Sequence, residues 1–279
     1  MTGEPLAFAT IASASLSESI SFYRDVIGFD LDARGPADPA FIDLLGLPQG
    51  TTVECALLSA CGLDVGRILL FDTGQPGRTS IRNPGDRVTG GLWNINFYVD
   101  DIFAVADALG NGFEFWSAPQ RYRLGAAGEA IEVVFEGPDG VAINLVQPLG
   151  EPDSFIGRIR TQASAFGRTR TGFTPISTTA QCVRDVIAAS RFYQAVLGMA
   201  VVLEEELGRP ETNIFLARPA GAVAHTIFLE GRHFFGKLSL SQPLNFEVPD
   251  RLSVSPSDAR GYVAQGFLVA FSLISRQVR

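Results

Sequence analysis

A phrase of about twenty residues that occurs twice constrains the fold of this chain most strongly. Residues 8–29 read FATIASASLSESISFYRDVIGF, and residues 178–199 read TTAQCVRDVIAASRFYQAVLGM. The Phe-Tyr pair at positions 22–23 returns 170 positions later, at 192–193, and Gly28 returns as Gly198. Repetition at a fixed distance indicates that the chain contains duplicated structural units.

Each copy of the phrase predicts a short strand followed by a helix. Leu16, Ile20 and Ile27 recur at helical spacing and form one apolar stripe. The hydroxyls of Ser15 and Ser17 can cap the start of that helix. A glycine directly after the stripe is typical of a helix end, because glycine adopts the left-handed conformation at low cost.

Three further strand patterns follow the first helix, so the first unit is β-α-β-β-β. The second unit repeats this order: a strand at 93–99, a helix at 102–109, and strands at 113–116, 131–136 and 141–146, with a GPDG turn at 137–140. A third unit runs from 176 to about 230. The fourth opens at 244–248, continues with a predicted helix at 255–265 and strand at 267–274, and is degenerate.

Composition limits the classes of function. The chain has 279 residues, 46% of them apolar, which is typical of a globular protein. A net charge of −8 argues against a nucleic-acid partner. The odd cysteine count, with Cys55, Cys61 and Cys182 in no metal-type spacing, indicates free thiols in a reducing compartment. With no signal-peptide or membrane-span pattern, a cytoplasmic location without membrane contact is expected.

The repeated FY-x-x-V-[IL]-G-[FM] phrase and the GPDG turn resemble the vicinal oxygen chelate superfamily, which includes glyoxalase I, extradiol dioxygenases and bleomycin-resistance proteins. The resemblance covers nearly the whole chain. It implies an α+β fold of four tandem βαβββ modules, the last degenerate, which pair into two curved mixed-sheet cups. Modules one and two would form a first domain, residues 1–150. Residues 151–172 would be a linker, and modules three and four would form a second domain, residues 173–279.

Enzymes of this superfamily usually hold a divalent metal in the cup. The resemblance places the expected ligand positions at Phe8, Asn94, Asn144 and Thr178. Phenylalanine cannot coordinate a metal, and neutral amide or hydroxyl oxygens bind one weakly without carboxylates. The expectation is therefore a cup with no metal and no other cofactor.

Strand alternation predicts which side chains could face a ligand. The substrate-binding candidates are Phe8, Thr10, Asn94, Asn96, Asn144, Arg121, Tyr122, Thr178 and Asn245. Arg121 and Tyr122 are assigned to a loop that could close over the ligand, and the others to strands. Aromatic and amide side chains together favour a hydrophobic or aromatic small molecule as partner.

Four residues are candidates for acid–base chemistry. Tyr98 could donate a hydrogen bond to an enolate, and Glu132 or Glu247 could act as the base. His225, one of two histidines, could pair with Glu247. Each of these side chains could instead be an ordinary surface or core group.

Several functions stay open. The first is a metal-independent lyase or isomerase that isomerises, epimerises or eliminates next to a carbonyl. The second is a non-catalytic protein that sequesters its ligand, as in bleomycin resistance. The others are a metal-dependent glyoxalase or dioxygenase with an atypical ligand set, and a degenerate member used as an interaction domain. An apolar edge left by the short fourth module is compatible with a homodimer.

Overall fold

The computed structural model describes residues 3–48, 50–83, 85–254 and 258–267. Three β-α-β-β-β units follow one another within these ranges, which confirms the predicted module order. No helix in the described ranges is long and apolar enough to cross a membrane. All three cysteines are free, as expected.

Fourteen strands are present in the described ranges. They are β1 Leu6–Ala12, β2 Asp30–Pro36, β3 Glu54–Ser59, β4 Arg67–Asp72, β5 Thr79–Ser80, β6 Gly91–Tyr98, β7 Gln120–Leu124, β8 Gly128–Glu136, β9 Ala142–Pro148, β10 Thr178–Cys182, β11 Ala200–Leu207, β12 Ala224–Glu230, β13 Lys237–Pro243 and β14 Ala259–Phe267. Strands β1–β4, β6–β9 and β10–β13 are the strands of modules one, two and three.

Six α-helices connect or cover these strands. They are α1 Leu16–Ser21, α2 Pro39–Leu44, α3 Ile102–Leu109, α4 Phe155–Ala165, α5 Val186–Leu197 and α6 Pro210–Phe215. Ser15 caps α1 as predicted, because its side chain accepts a hydrogen bond from the Glu18 amide. The helix continues through a π-helical turn, Phe22–Val26, and the chain then turns at Gly28, whose φ is 85°. Gly198 ends α5 in the left-handed conformation, also as predicted.

The strands form two sheets, but the modules do not pair as expected. The larger sheet has the order β11-β12-β13-β10-β6-β9-β8-β7, so module two pairs with module three. The smaller sheet has the order β2-β3-β4-β1-β14-β5, so module one pairs with β14, the described strand of module four. The predicted pairing of modules one with two and three with four is therefore wrong. The domain boundaries stay a prediction, although the larger sheet continues across residues 151–172.

The physical reason for this pairing lies at the edges of the modules. The first strand of each module leaves one edge open, and two such edges can pair antiparallel. Strand β6 pairs with β10 in this way, and β1 pairs with β14. The backbone groups of these edges are the same in every module, so they do not select a partner. The pairing therefore depends on contacts between residues far apart in the chain.

Four backbone hydrogen bonds join modules one and three into a closed ring. The Leu6 amide donates to Gly236 O, Gly66 N to Leu6 O, Ile176 N to Gly66 O, and Gly236 N to Ile176 O, at 2.9–3.1 Å. Leu6 and Ile176 are 170 positions apart, as are Gly66 and Gly236. The 170-residue repeat in the sequence thus corresponds to a local two-fold symmetry between modules one and three.

The concave face of the smaller sheet is largely filled by its own chain. Phe41, Leu47, Val53 and Phe71 form an apolar cluster with Ala259 there. The concave face of the larger sheet holds a cavity instead. The cavity of the larger sheet is therefore the candidate ligand site.

Module four differs from its sequence prediction. Residues 259–265 belong to strand β14, not to a helix, because they pair with β1. Residues 244–248 form bends and irregular chain, not the predicted opening strand. The predicted strand at 267–274 lies outside the described residues, except for Phe267.

Candidate functional site

A cavity of about 870 Å³, measured with its opening, lies between modules two and three on the concave face of the larger sheet. Helices α4 and α6 contribute Ile156, Ile159 and Phe215 to its wall. The other apolar residues that line it include Trp93, Leu124, Val146, Phe155, Leu203, Leu207, Leu216 and Phe228. The polar lining residues are Asn94, Asn96, Tyr98, Tyr122, Glu132, Asn144, Thr178, Arg218, Lys237, Ser239 and Ser241. A largely apolar lining with a few polar groups is typical of a site for a small organic molecule.

A row of four polar residues crosses the floor of this cavity. Asn144 on β9 is paired with Asn96 on β6, Asn96 with Thr178 on β10, and Thr178 with Lys237 on β13. Directly paired residues on neighbouring strands point to the same face of a sheet. The row therefore places an amide, a second amide, a hydroxyl and an ammonium group side by side.

Glu132 is held next to this row. The Tyr122 hydroxyl donates to its Oε1 at 2.5 Å, and Asn144 Nδ2 donates to its Oε2 at 2.6 Å. Burial raises the pKa of the Glu132 carboxyl, while these two hydrogen bonds oppose the rise. A buried carboxylate with a raised pKa can accept and return a proton near neutral pH.

Tyr98 lies near the end of β6, where it is paired with Val146 of β9. Burial raises the pKa of the Tyr98 hydroxyl far above its usual range, and hydrogen bonding with Thr178 opposes that effect. The phenol therefore keeps its proton at neutral pH. It is suited to donating a hydrogen bond, not to removing a proton.

Lys237 is the one lysine in the sequence, and its side chain is only 2% exposed. Its ammonium forms an ion pair with Glu230 at 3.2 Å, donates to the Phe234 carbonyl, and lies 3.6 Å from the centre of the Phe234 ring. Burial lowers the pKa of Lys237 to about 8, against the opposing effect of Glu230.

Three amide oxygens in the cavity lack a partner. The Oδ1 atoms of Asn94, Asn96 and Asn144 are buried and accept no hydrogen bond from any described residue. An unsatisfied buried acceptor is costly, and a ligand that donates N–H or O–H groups would satisfy it.

The donor set does not fit the divalent metal of the resembled superfamily. Three of the expected ligand positions, Asn94, Asn144 and Thr178, line the cavity, but Phe8 is on the smaller sheet. The ammonium of Lys237 stands in the same row and would repel a cation. No cluster of three or more His, Cys, Asp or Glu side chains suited to a metal occurs among the described residues.

We expect no stoichiometric metal in the purified protein and no stabilisation on adding Zn²⁺, Ni²⁺ or Mn²⁺. A metal that binds only the folded state at 100 times its Kd would stabilise the protein by about 2.7 kcal/mol. Elemental analysis and thermal unfolding with and without each metal measure this. A metal-dependent rise in the unfolding temperature, lost on Asn144→Ala, would contradict the expectation.

The cavity brings together seven of the thirteen candidate residues. They are Asn94, Asn96, Tyr98, Tyr122, Glu132, Asn144 and Thr178. Tyr122 is on strand β7, where the sequence predicts a loop. The neighbouring Arg121 points away from the cavity and pairs with Glu129 at 2.6 Å on the surface.

The remaining candidates lie elsewhere. Phe8 and Thr10 are on β1 in the smaller sheet. His225 pairs with Glu204 at 2.7 Å, not with Glu247. The Asn245 side chain holds the 221–223 turn through Val223 N and Gly221 O. Glu247 lines a separate surface depression.

Two charged residues of the cavity, Lys237 and Arg218, were missed by sequence reasoning. A single lysine among 22 Lys and Arg residues was a usable signal, because every other such positive charge in this chain is supplied by arginine. Arg218 carries no such signal, since its position in the cavity depends on how α6 packs against β7.

Comparison with known proteins agrees with this fold. The sequence profile of the Glyoxalase/Bleomycin resistance protein/Dioxygenase superfamily matches residues 6–145. This chain therefore belongs to that superfamily, which confirms the predicted family and fold class. A search of curated protein sequences finds no match.

Solved structures show the same fold. Glyoxalase I from Zea mays has a TM-score of 0.57 and 15% identity, over 88% of this chain and 69% of the maize chain. A proposed dioxygenase from Bacillus subtilis subsp. subtilis str. 168 has a TM-score of 0.52 and 12% identity, over 88% of this chain and 64% of that chain. At these identities the likeness concerns the fold and not the activity.

Proposed function

We propose that this protein binds a hydrophobic or aromatic small molecule between modules two and three. We further propose that it transfers a proton at a carbon next to a carbonyl group. The observation that carries the proposal is Glu132, a buried carboxyl that borders a largely apolar cavity and is oriented by Tyr122 and Asn144. A perturbed carboxyl in such a cavity is typical of a general base.

The proposed reaction begins when Glu132 removes the proton and the C–H electrons move toward the carbonyl oxygen. The resulting enolate oxygen would be stabilised by the positive charge of Lys237 and by a hydrogen bond from Tyr98. Return of the proton to another face or carbon gives epimerisation or isomerisation. Loss of a leaving group from the adjacent carbon gives elimination. No metal takes part in these steps.

Glu132→Gln is expected to lower the rate of proton exchange by about 10²–10⁴-fold and to change ligand affinity little, because glutamine keeps the size but cannot accept the proton. The measurement is deuterium uptake from D₂O, by proton NMR, into 2-indanone and phenylpyruvate, corrected for the rate without protein. Glu129→Gln is the matched control, since Glu129 is on the same strand β8 but pairs with Arg121 at the surface. Equal rates for Glu132→Gln and the wild type would exclude Glu132 as the base.

The second candidate function is sequestration without chemistry. The three unpaired asparagine oxygens favour it, because they can hold a ligand without taking part in a reaction. The same experiment separates the two functions: a sequestering protein would bind the aromatic compounds, while the wild type would cause no exchange. A homodimer and a cytoplasmic location also stay predictions.

A further inference from the structure

Among the described residues, Arg218 is the charged group of the cavity that has no ion-pair or hydrogen-bond partner for its guanidinium. Its Nε and Nη1 atoms are buried and make no hydrogen bond, and no ion pair joins its guanidinium to any residue in the described ranges. The other charged groups of the cavity are satisfied: Glu132 by Tyr122 and Asn144, and Lys237 by Glu230. Buried nitrogens without a partner are unfavourable in a charged group, so a guanidinium in this state is suited to binding an anion.

The local backbone holds Arg218 in this place. It lies three residues after the end of α6, and its amide donates to Asn213 O at 2.8 Å. The preceding residue, Ala217, has a φ of 50°, which is unfavourable for a residue with a Cβ. The Phe246 ring lies 5.6 Å from the guanidinium carbon. The strained backbone at Ala217 and the contact with the Phe246 ring thus hold the Arg218 side chain in place. No carboxylate among the described residues neutralises its charge.

Arg218 lines both the cavity and the surface depression that contains Glu247. Asp86 and Glu247 are the acidic residues that line that depression, yet neither forms an ion pair with Arg218. Phe215 and Leu216, just before Arg218, are apolar residues of the same cavity wall. An anionic group at Arg218 would therefore belong to a molecule whose apolar part contacts this wall.

We propose that the ligand of the cavity is an apolar or aromatic carboxylic acid, whose carboxylate accepts hydrogen bonds from the guanidinium of Arg218. This rests on the proposed function and narrows its substrate class. The planar guanidinium can donate two parallel hydrogen bonds to one carboxylate, an arrangement that distinguishes an acid from its neutral amide. The acid would bind although the protein carries a net charge of −8, because the cation is local and two of its nitrogens are shielded from water.

The test compares 2-naphthoic acid with 2-naphthamide, which has the same ring but no charge. Isothermal titration calorimetry at neutral pH measures both probes on the wild type, Arg218→Gln and Arg218→Lys. Arg209→Gln is the control, because it removes an equal charge from the exposed start of α6. We expect the wild type to bind the acid at least tenfold more tightly than the amide. Arg218→Gln should lose this preference, Arg218→Lys should keep part of it, and Arg209→Gln should keep it whole.

The outcomes are distinguishable. Equal affinity of the wild type for acid and amide, or an equal loss of both in Arg218→Gln, would overturn the carboxylate inference but leave the binding cavity in place. Failure of both probes to bind the wild type would overturn the proposed function as well. Thermal unfolding is a second readout, also usable if Arg218→Gln folds poorly: naphthoic acid should raise the unfolding temperature of the wild type more than that of Arg218→Lys, and an equal rise would contradict the proposal.

Discussion

Gly66→Ala is expected to lower the free energy of unfolding by about 3 kcal/mol or more. Gly66 has a φ of +66°, where a residue with a Cβ loses about 1–2 kcal/mol. The new Cβ would also lie 2.5 Å from Ile176 O and 2.9 Å from Ile176 N, in the ring of hydrogen bonds between modules one and three. Overpacking against backbone that cannot move aside adds roughly 1–3 kcal/mol. Urea denaturation measures the change.

Gly74→Ala is the matched control for this substitution. Gly74 has nearly the same φ, +69°, but no atom lies within 4 Å of the position that a new Cβ would occupy there. It should show the conformational cost alone. If Gly66→Ala is no more destabilising than Gly74→Ala, the result would contradict a close approach of modules one and three at Gly66. Gly236→Ala, at the symmetric position, should behave as Gly66→Ala does.

Lys237→Met is expected to destabilise the protein by about 3–5 kcal/mol, because it leaves the Glu230 carboxylate without its partner. The Glu230 side chain is only 15% exposed, so water compensates it poorly. The double variant Lys237→Met/Glu230→Met removes both charges and should recover most or all of the loss. Urea denaturation of the single and double variants measures both effects. A double variant as unstable as the single one would show that the ion pair itself contributes the stability.

The same pair predicts a dependence on pH. The pKa of Lys237 is about 8 in the folded protein and 10.5 in the unfolded reference. Below pH 8 both states hold the proton, and the cost of burying the charge is fully present. Between pH 8 and 10.5 the unfolded state holds more protons, so the stability of the wild type should rise relative to the double variant. Unfolding free energies at pH 7, 8.5 and 9.5 measure this, and a constant difference between the proteins would contradict it.

The module order could be predicted from the sequence because its signals are local. Ser15 and Gly198 mark helix ends through contacts with residues at most a few positions away. The partner of each module could not be predicted. Strands β1, β6 and β10 all begin modules and offer the same backbone groups, so the sequence pattern does not distinguish the pairs that form.

The candidate site could be predicted only in part, because strand alternation is a local signal whereas the pairing of modules is not. Alternation along β6 and β9 identified Asn96, Tyr98 and Asn144 as residues of one face, and the cavity contains all three. Phe8 has the same pattern but belongs to the other sheet, and Glu247 follows a segment that forms no strand. Their positions depend on which modules meet.

The sequence by itself determined three β-α-β-β-β units, the superfamily, and the replacement of the expected metal ligands. These depend on residue type and on spacing within one unit. Tertiary structure alone decided that modules two and three form the cavity, that Lys237 joins the row of Asn96 and Thr178, and that Arg218 lines the cavity without a carboxylate partner. Those features depend on long-range backbone pairing and on burial, which no local pattern encodes. The duplicated phrase thus predicts the modules, and the contacts between modules make the site.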